Sequence, residues 1–305
     1  MLSEEQVAAF RERGYVVVPG LVSAEAVAAM RRELDRWIEE SRAQTRNYGA
    51  EGTPDGKARF DLEPGHSADR PRLRRVANPV DISAAFRAVL WDGDLPAAAA
   101  DLLGPDVKFH HCKLNIKLPG METRVDYHQD HPFDPHTNDS MLTALVLLDD
   151  MSETNGCLRV VPGSQRARHS HYEGDRFVGK VSDALGARFA REAEPVTGRA
   201  GDVGLMDTWA VHGGEANRSA RPRALLICDY TAADNFWITP PIVPSPHSGR
   251  IVHGKATRVA RLRAGTVELP PRYEEDSFFG VQGQGEIAER RAAAAPGGGM
   301  NGGTT

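Results

Sequence analysis

Arg124-Val-Asp-Tyr-His-Gln-Asp130 is the run from which the rest of this 305-residue chain can be placed. It reads as extended. Side chains two apart in an extended chain point to one face, so His128 and Asp130 converge on a single point. Ala210-Val211-His212-Gly213-Gly214, far downstream, offers a third candidate ligand. Two imidazoles and one carboxylate with open positions opposite make the facial triad of a non-haem Fe(II) oxygenase. In a chain with 11 histidines, an H-x-D tripeptide also has a plainer reading: a core histidine beside a turn-forming aspartate. The residues around it decide between the two.

The flanking runs read as strands. In Lys108 to Leu118, one alternating set is Phe109, His111, Lys113, Asn115 and Lys117; the other is His110, Cys112, Leu114, Ile116 and Leu118. The second, mostly apolar set belongs against other protein. The polar set faces either solvent or a ligand-holding interior, a choice the sequence leaves open. Met141 to Leu148 is apolar on both alternations, the pattern of a strand covered on both faces. Gly156 to Val161 stops at Pro162-Gly163. Val203 to Trp209 follows the Gly201-Asp202 turn signal and delivers His212 just past its end, and Arg221-Pro-Arg223 opens a last apolar strand, Ala224 to Tyr230. Short strands punctuated by turns predict a mainly β chain, a jelly roll or barrel rather than a βαβ fold.

Helices precede this body. Ser3 with Gln6 reads as a capping box for a first helix that Gly14 ends. Tyr15 to Val18 is a short strand. Ser23 caps a longer helix whose stripe of Val27, Met30, Leu34 and Trp37 is core packing. Helical pattern returns from about Ile82 to Leu103, interrupted near Gly93 to Pro96. Residues 41–72 read as a long loop and 164–199 as an insertion with a helical piece near Ala184 to Ala193; both are possible lids. His169 and His171 share H-x-H spacing but read as surface residues, as does the basic run Arg70-Pro-Arg-Leu-Arg-Arg75. A further strand-like run lies near Val259 to Leu262. The chain reads as one domain over 1–289 with a disordered tail, 290–305.

His128-x-Asp130, Asn155-Gly-Cys-Leu-Arg-Val-Val-Pro-Gly-Ser164, Gly201-Asp-Val-Gly-Leu-Met-Asp-Thr-Trp-Ala-Val-His212 and Arg223, in that order, resemble the phytanoyl-CoA dioxygenase family, to which ectoine hydroxylase is related. The resemblance runs from about residue 110 to 231. It implies a double-stranded β-helix of the cupin type buttressed by the N-terminal helices. It also implies an Fe(II)- and 2-oxoglutarate-dependent oxygenase that hydroxylates a C–H bond with dioxygen, releasing succinate and carbon dioxide. By the same resemblance His128, Asp130 and His212 are the metal ligands. Arg223 pairs with the distal carboxylate of 2-oxoglutarate, where a guanidinium fork can grip both oxygens. Lys113-Leu-Asn-Ile-Lys117-x-Pro-Gly matches the strand whose terminal lysine contacts the co-substrate, which makes Lys117 a cofactor candidate. Gln129 joins that group, and His111, Asn115, Phe133 and Trp209 are the substrate-pocket candidates.

The chain departs from the family pattern at two places. Gly214 stands where many relatives carry Ser or Thr, and Val146 where an aromatic is expected. The halogenating relatives have a small residue at the position of Asp130, so a carboxylate there implies hydroxylation. A metal hydrolase or isomerase on a cupin-like barrel, or a binding protein without turnover, would use the same triad. Arg223 and Lys117 argue against both, since neither needs a dicarboxylate pocket.

The bulk numbers fit such an enzyme. Hydrophobic content is 40%, charged content 26%, and the net charge of −5 is spread along the chain without a basic stripe, against a nucleic-acid partner. Cys112, Cys157 and Cys228 sit far apart in apolar runs and read as small buried hydrophobes. No apolar run approaches the ~18 residues of a spanning helix, and the start of the chain does not read as a leader. A cytoplasmic enzyme with a small-molecule substrate is expected; substrate identity and oligomeric state are not legible.

Overall fold

The computed structural model describes residues 1–270 and 278–283; the tail read over 290–305 lies outside the described residues. In chain order, α1 (Glu4–Arg13), β1 (Tyr15–Val18) and α2 (Ala24–Ser41) open the chain, followed by β2 (Phe60–Leu62), β3 (Leu73–Ala77), α3 (Ala84–Leu90) and α4 (Leu95–Leu103). The β body then runs through β4 (Val107–Lys117), β5 (Val125–His128), β6 (Met141–Leu147), β7 (Arg159–Val160), β8 (Tyr172–Glu173) and β9 (Arg176–Phe177). After α5 (Asp183–Glu192) come β10 (Glu194–Pro195), β11 (Val203–Asp207), β12 (His212–Gly214), β13 (Arg223–Ala232), β14 (Ile251–His253) and α6 (Phe278–Val281).

Local chemistry explains the ends of the first helices. Ser3 accepts from the Gln6 amide and the Gln6 side chain accepts from Ser3, the full capping box; Gly14 at φ 80° ends α1 in the left-handed region. Ser23 caps α2, whose stripe Val27, Met30, Leu34 and Trp37 is buried.

The larger sheet runs β1-β11-β6-β13-β4-β3-β2, with β14 on the far end of β4; the smaller runs β10-β7-β12-β5. Their pairings are antiparallel. Side-chain alternation then divides the interior in two. Leu142, Ala144 and Val146 of β6, with Cys112, Leu114 and Ile116 of β4, pack against α2, α3 and α4. Leu145 and Leu147, with Leu225, Ile227 and Met206, turn the other way, toward Leu158 and Val160 of the smaller sheet. This is why Met141 to Leu147 is apolar on both alternations. The fold is a double-sheet jelly roll with α2, α3 and α4 on the outer face of the larger sheet, as the sequence indicates. Among the described residues no helix is long and apolar enough to cross a membrane, and the three cysteines are free and buried.

Several expectations change. Segment 41–72 is not a plain loop: β2 pairs with β3 and extends the large sheet, and Tyr48 stacks on Phe60 at 4.5 Å. The basic run is not a solvated connection, because β3 begins at Leu73 and buries Arg74 and Arg75. Segment 164–199 contains the β8–β9 hairpin and α5, which buries Phe189 beside Val161, Val181 and Val211. Val259 to Leu262 forms no strand, and both of those apolar side chains are exposed.

Candidate active site

β5 and β12 lie side by side in the smaller sheet with His128 directly opposite His212, and their ring centroids are 4.2 Å apart. Asp130 is not a strand residue two positions on. The chain turns after His128, and Asp130 takes helical angles (φ −73°, ψ −39°), fixed by its amide donating to the Thr208 carbonyl at 2.9 Å. The turn brings Asp130 Oδ1 to 3.5 Å from His128 Nε2 and 3.7 Å from His212 Nε2. One ligand atom from each of the three residues falls within a 4.8 Å cluster.

The tautomers follow from the backbone. His128 Nδ1 lies 2.8 Å from the Asp126 carbonyl and His212 Nδ1 3.0 Å from that of Ala210. A carbonyl only accepts, so Nδ1 carries the proton and both Nε2 lone pairs aim at Asp130, the form a metal requires. Burial, then the charge of His128, pushes His212 down to about 4, so it is neutral at neutral pH. Burial works to raise the Asp130 carboxyl, but the adjoining His212 and His128 rings and the charge of Lys113 outweigh it and hold it below the usual carboxylate range. Two imidazoles with inward-facing Nε2 atoms and one carboxylate on one side of a cavity fit Fe(II).

Two further residues support the carboxylate. Thr143 Oγ1 lies 3.1 Å from Asp130 Oδ2 and 2.7 Å from Asp229 Oδ1, and Asp229 Oδ2 is 3.0 Å from His111 Nε2. Sequence reasoning passed over Thr143 and Asp229. Their signal was present: each is a polar residue within a largely apolar run of its strand.

At the other end of the cavity, Arg223 on β13 stands opposite Lys117 on β4. Arg223 Nε and Nη2 donate to the Gly156 carbonyl at 3.1 and 2.7 Å, and Lys117 Nζ donates to the same oxygen at 3.2 Å and to the Glu215 carbonyl. Both side chains are almost fully buried, and among the described residues neither has a carboxylate partner. Burial lowers Arg223 to about 10, still a cation; burial and then Arg223 hold Lys117 well below its ordinary value. A buried guanidinium and a buried amine sharing one carbonyl are costly without an anion, and an anion there would favour the charged form of both. Gly156 makes the arrangement possible: it sits at φ 72°, and a Cβ there would lie 2.5 Å from the Glu215 carbonyl. At Gly214 a Cβ would approach the Cys157 carbonyl at 3.1 Å and stand in ordinary contact, 3.6 Å, with Lys117 Nζ. The lysine occupies the space beside the residue that replaces the family's Ser or Thr.

Between these ends is a cavity of about 650 Å³ including its mouth, lined by both sheets. Lys113, Asn115 and Lys117 face it, so the polar row of β4 points inward. Among the described residues Asn115 Oδ1, buried there, has no hydrogen-bond partner. The sequence reading missed Arg74 and Arg75 of β3, and Phe278 and Phe279 of α6, all of which line this cavity. Arg74 donates to Asp61 at 2.8 Å and lies over the Phe279 ring at 4.6 Å.

Four expected site residues are elsewhere. Gln129 is not a cofactor contact: its side chain turns away to the carbonyls of Trp209 (2.6 Å) and Ala167 (2.8 Å) and to the His169 amide (3.0 Å). Its neighbours in sequence point inward, so Gln129 points out of the cavity. Trp209 stacks on His131 at 4.4 Å and donates to Asp139 at 2.8 Å, outside the cavity wall. Phe133 packs edge-on behind His128 at 5.7 Å. His111 is turned to Asp229. His171, read as a surface residue, is 1% exposed and accepts from the Gln129 amide at 2.9 Å; the H-x-H pair braces the metal loop rather than binding metal.

Comparison with known proteins agrees with this geometry. The family model described as phytanoyl-CoA dioxygenase (PhyH) matches residues 10–225. A probable alpha-ketoglutarate-dependent hypophosphite dioxygenase of Stutzerimonas stutzeri is 30% identical over 271 residues, 87% of this chain and 90% of that protein. An ectoine dioxygenase of Bordetella bronchiseptica is 28% identical over 279 residues, 85% of each chain. The crystal structure of EctD from S. alaskensis with 2-oxoglutarate and 5-hydroxyectoine superposes with a TM-score of 0.65 at 26% identity, covering 85% of this chain and 88% of that one.

Proposed function

The chain belongs to the phytanoyl-CoA dioxygenase family and is an Fe(II)- and 2-oxoglutarate-dependent dioxygenase, and from that premise we propose which of its residues do the work. His128 and His212, through Nε2, and the Asp130 carboxylate hold the iron. Arg223 and Lys117 receive the distal carboxylate of 2-oxoglutarate, which supplies the anion that their buried charges lack. When bound, the iron supplies the redox chemistry by which dioxygen and 2-oxoglutarate become succinate and carbon dioxide while a substrate C–H bond is hydroxylated.

The protein's part is binding, orientation and exclusion of water. Thr143 and Asp229 fix the carboxylate plane of Asp130. Phe133 backs the His128 ring. Phe278 and Phe279 cover the side of the cavity nearest Lys113, Arg74 and Arg75. Substrate enters this last region, and Lys113 and Asn115 are its polar contacts. Relatives named for hypophosphite and for ectoine act on small polar molecules, and the cationic lining here suits a small substrate that carries an anionic group. The proposal extends to a cytoplasmic enzyme with no nucleic-acid or membrane partner, in keeping with the mixed charge of the chain.

The observation that carries the reading is that the triad and the buried Arg223–Lys117 pair face one cavity from opposite ends. A metal hydrolase has no use for the second feature. The test is succinate release from 2-oxoglutarate under air with Fe(II), measured against His128→Ala and Arg223→Gln. Release that is lost in the first and needs far more 2-oxoglutarate in the second supports the assignment. Equal release from all three proteins would overturn it.

A further inference from the structure

A second group of two imidazoles and one carboxylate lies beneath the turn that follows the proposed iron ligand Asp130. The ligand atoms of His110, Asp134 and His136 fall within 4.8 Å of one another, and all three residues are buried. β4 builds half of it. The register of β13 against β4 shifts between Asp229, opposite His111, and Tyr230, opposite Phe109, leaving His110 as an extra, bulged residue. Both imidazoles then reach Asp134: His110 Nε2 contacts Oδ2, and His111 Nδ1 lies 3.9 Å from the same oxygen. The turn supplies the other half, and His136 stands with its ring 4.8 Å from that of His110.

What singles the group out is its open valences. His136 Nδ1 lies 2.6 Å from the Asp134 carbonyl and must donate to it, so the lone pair of neutral His136 is on Nε2. That is the arrangement of His128 and His212: Nδ1 tied to the carbonyl two residues before, and Nε2 left for a ligand. Among the described residues His136 Nε2 is buried without a hydrogen-bond partner, and so are Asp134 Oδ1 and both ring nitrogens of His111, whose Nε2 stands 3.0 Å from Asp229 Oδ2 without a hydrogen bond between them. Orphaned buried acceptors are costly, of order 1–3 kcal/mol each, and they are grouped here around one carboxylate. Burial, followed by the charge of His110, pushes His136 down to about 4, which keeps Nε2 free at neutral pH.

We propose that His110, Asp134 and His136, with His111 Nδ1 as fourth donor, form a second divalent-cation site of the Zn(II) or Fe(II) class, distinct from the triad. Three imidazoles and one carboxylate make a closed four-ligand set, the kind that holds a structural rather than a catalytic metal. The cation displaces the proton now shared by His110 and Asp134, as deprotonated ligands require. Asp229, 3.0 Å from His111 Nε2, then orients a ligand imidazole on one side while it meets Thr143 on the other. The site would pin the turn after Asp130 to β4.

Equilibrium dialysis of tag-free, metal-stripped protein against Co(II), with metal counted per chain and the visible absorption recorded, tests this. The wild type is expected to take up two equivalents, one giving the intense absorption of four-coordinate Co(II). His128→Ala should keep that equivalent and lose the other. Asp134→Asn and His136→Gln should each lose the four-coordinate signal and retain the equivalent that responds to 2-oxoglutarate. A wild-type count of one, abolished by His128→Ala, overturns the proposal and needs no variant of the second site. So does a second equivalent that survives both Asp134→Asn and His136→Gln, which would assign it to exposed histidines. Loss of the 2-oxoglutarate-responsive equivalent from the wild type would instead count against the iron site, so the two assignments fail separately.

Discussion

Replacing Thr143 by valine removes one hydroxyl and keeps the shape of a side chain that is 1% exposed. That hydroxyl lies 3.1 Å from Asp130 Oδ2 and 2.7 Å from Asp229 Oδ1, so the change removes the single O–H that these two carboxylates share while leaving their surroundings unaltered. Hydrogen bonds to charged groups contribute about 1.5–3 kcal/mol. Removing a partner that orients a metal ligand typically costs about 10- to 100-fold in affinity, which is roughly 1.4–2.7 kcal/mol. The two estimates agree. Thr143→Val is therefore expected to weaken Fe(II) about 10- to 100-fold, with a smaller effect from Thr143→Ser, which keeps the donor. The assay is anaerobic competition for Fe(II) against a chromophoric chelator, with circular dichroism as the control for folding. A purely packing role for Thr143 would make serine, which loses the methyl group, the more damaging change. A folded Thr143→Val protein that binds Fe(II) as well as wild type refutes the reasoning.

Other outcomes follow from the same geometry. Arg223→Gln leaves the dicarboxylate without its buried cation; a loss of about 2–4 kcal/mol is roughly a 30- to 700-fold weaker Kd for 2-oxoglutarate, measurable by calorimetry on the Fe(II)-loaded protein. Gly156→Ala forces a Cβ to within 2.5 Å of the Glu215 carbonyl at a positive φ; it should lower Tm and weaken 2-oxoglutarate together, because the displaced carbonyl is the one Arg223 and Lys117 share. His131, His136, His171 and His212 are each held at about 4 in the fold, chiefly by burial, against an ordinary 6.5. The unfolded chain thus binds more protons between pH 4 and 6.5, and the metal-free protein should lose stability as pH falls through that window. His110, raised by Asp134 against the effect of burial, opposes the trend but is outnumbered. Thermal melts from pH 7.5 to 4.5 check this, and a flat profile would contradict it.

Much of the molecule could be read before it was seen, for reasons visible in particular residues. The Ser3 capping box and the Gly14 stop are local chemistry, as is the stripe of Met30, Leu34 and Trp37, and each formed as its residues dictate. Met141 to Leu147 announced a doubly covered strand because, Thr143 apart, its side chains are apolar on both alternations. The face chosen by Lys113, Asn115 and Lys117 was not legible, since a polar row suits water and a ligand cavity equally. Strand alternation placed His128 and Asp130 on one point for the wrong reason: the chain turns at Asp130, and a contact from Thr208 holds that turn. Arg74 and Arg75 looked like solvated charge because their burial depends on Asp61 and on a sheet edge formed by distant pairing. Gln129 and Trp209 lie close in sequence to the triad histidines yet turn away from the cavity, because side-chain direction, not proximity, decides what reaches it.

The measurement that bears most directly on the central reading is anaerobic titration of the metal-free protein with Fe(II) and 2-oxoglutarate, followed by visible absorption. A charge-transfer band of the chelate is expected, saturating at one 2-oxoglutarate per chain, absent in His128→Ala and reached in Arg223→Gln only at much higher 2-oxoglutarate. A folded wild-type protein that binds Fe(II) and never develops the band would contradict the assignment of the triad and the Arg223–Lys117 pair to one shared site.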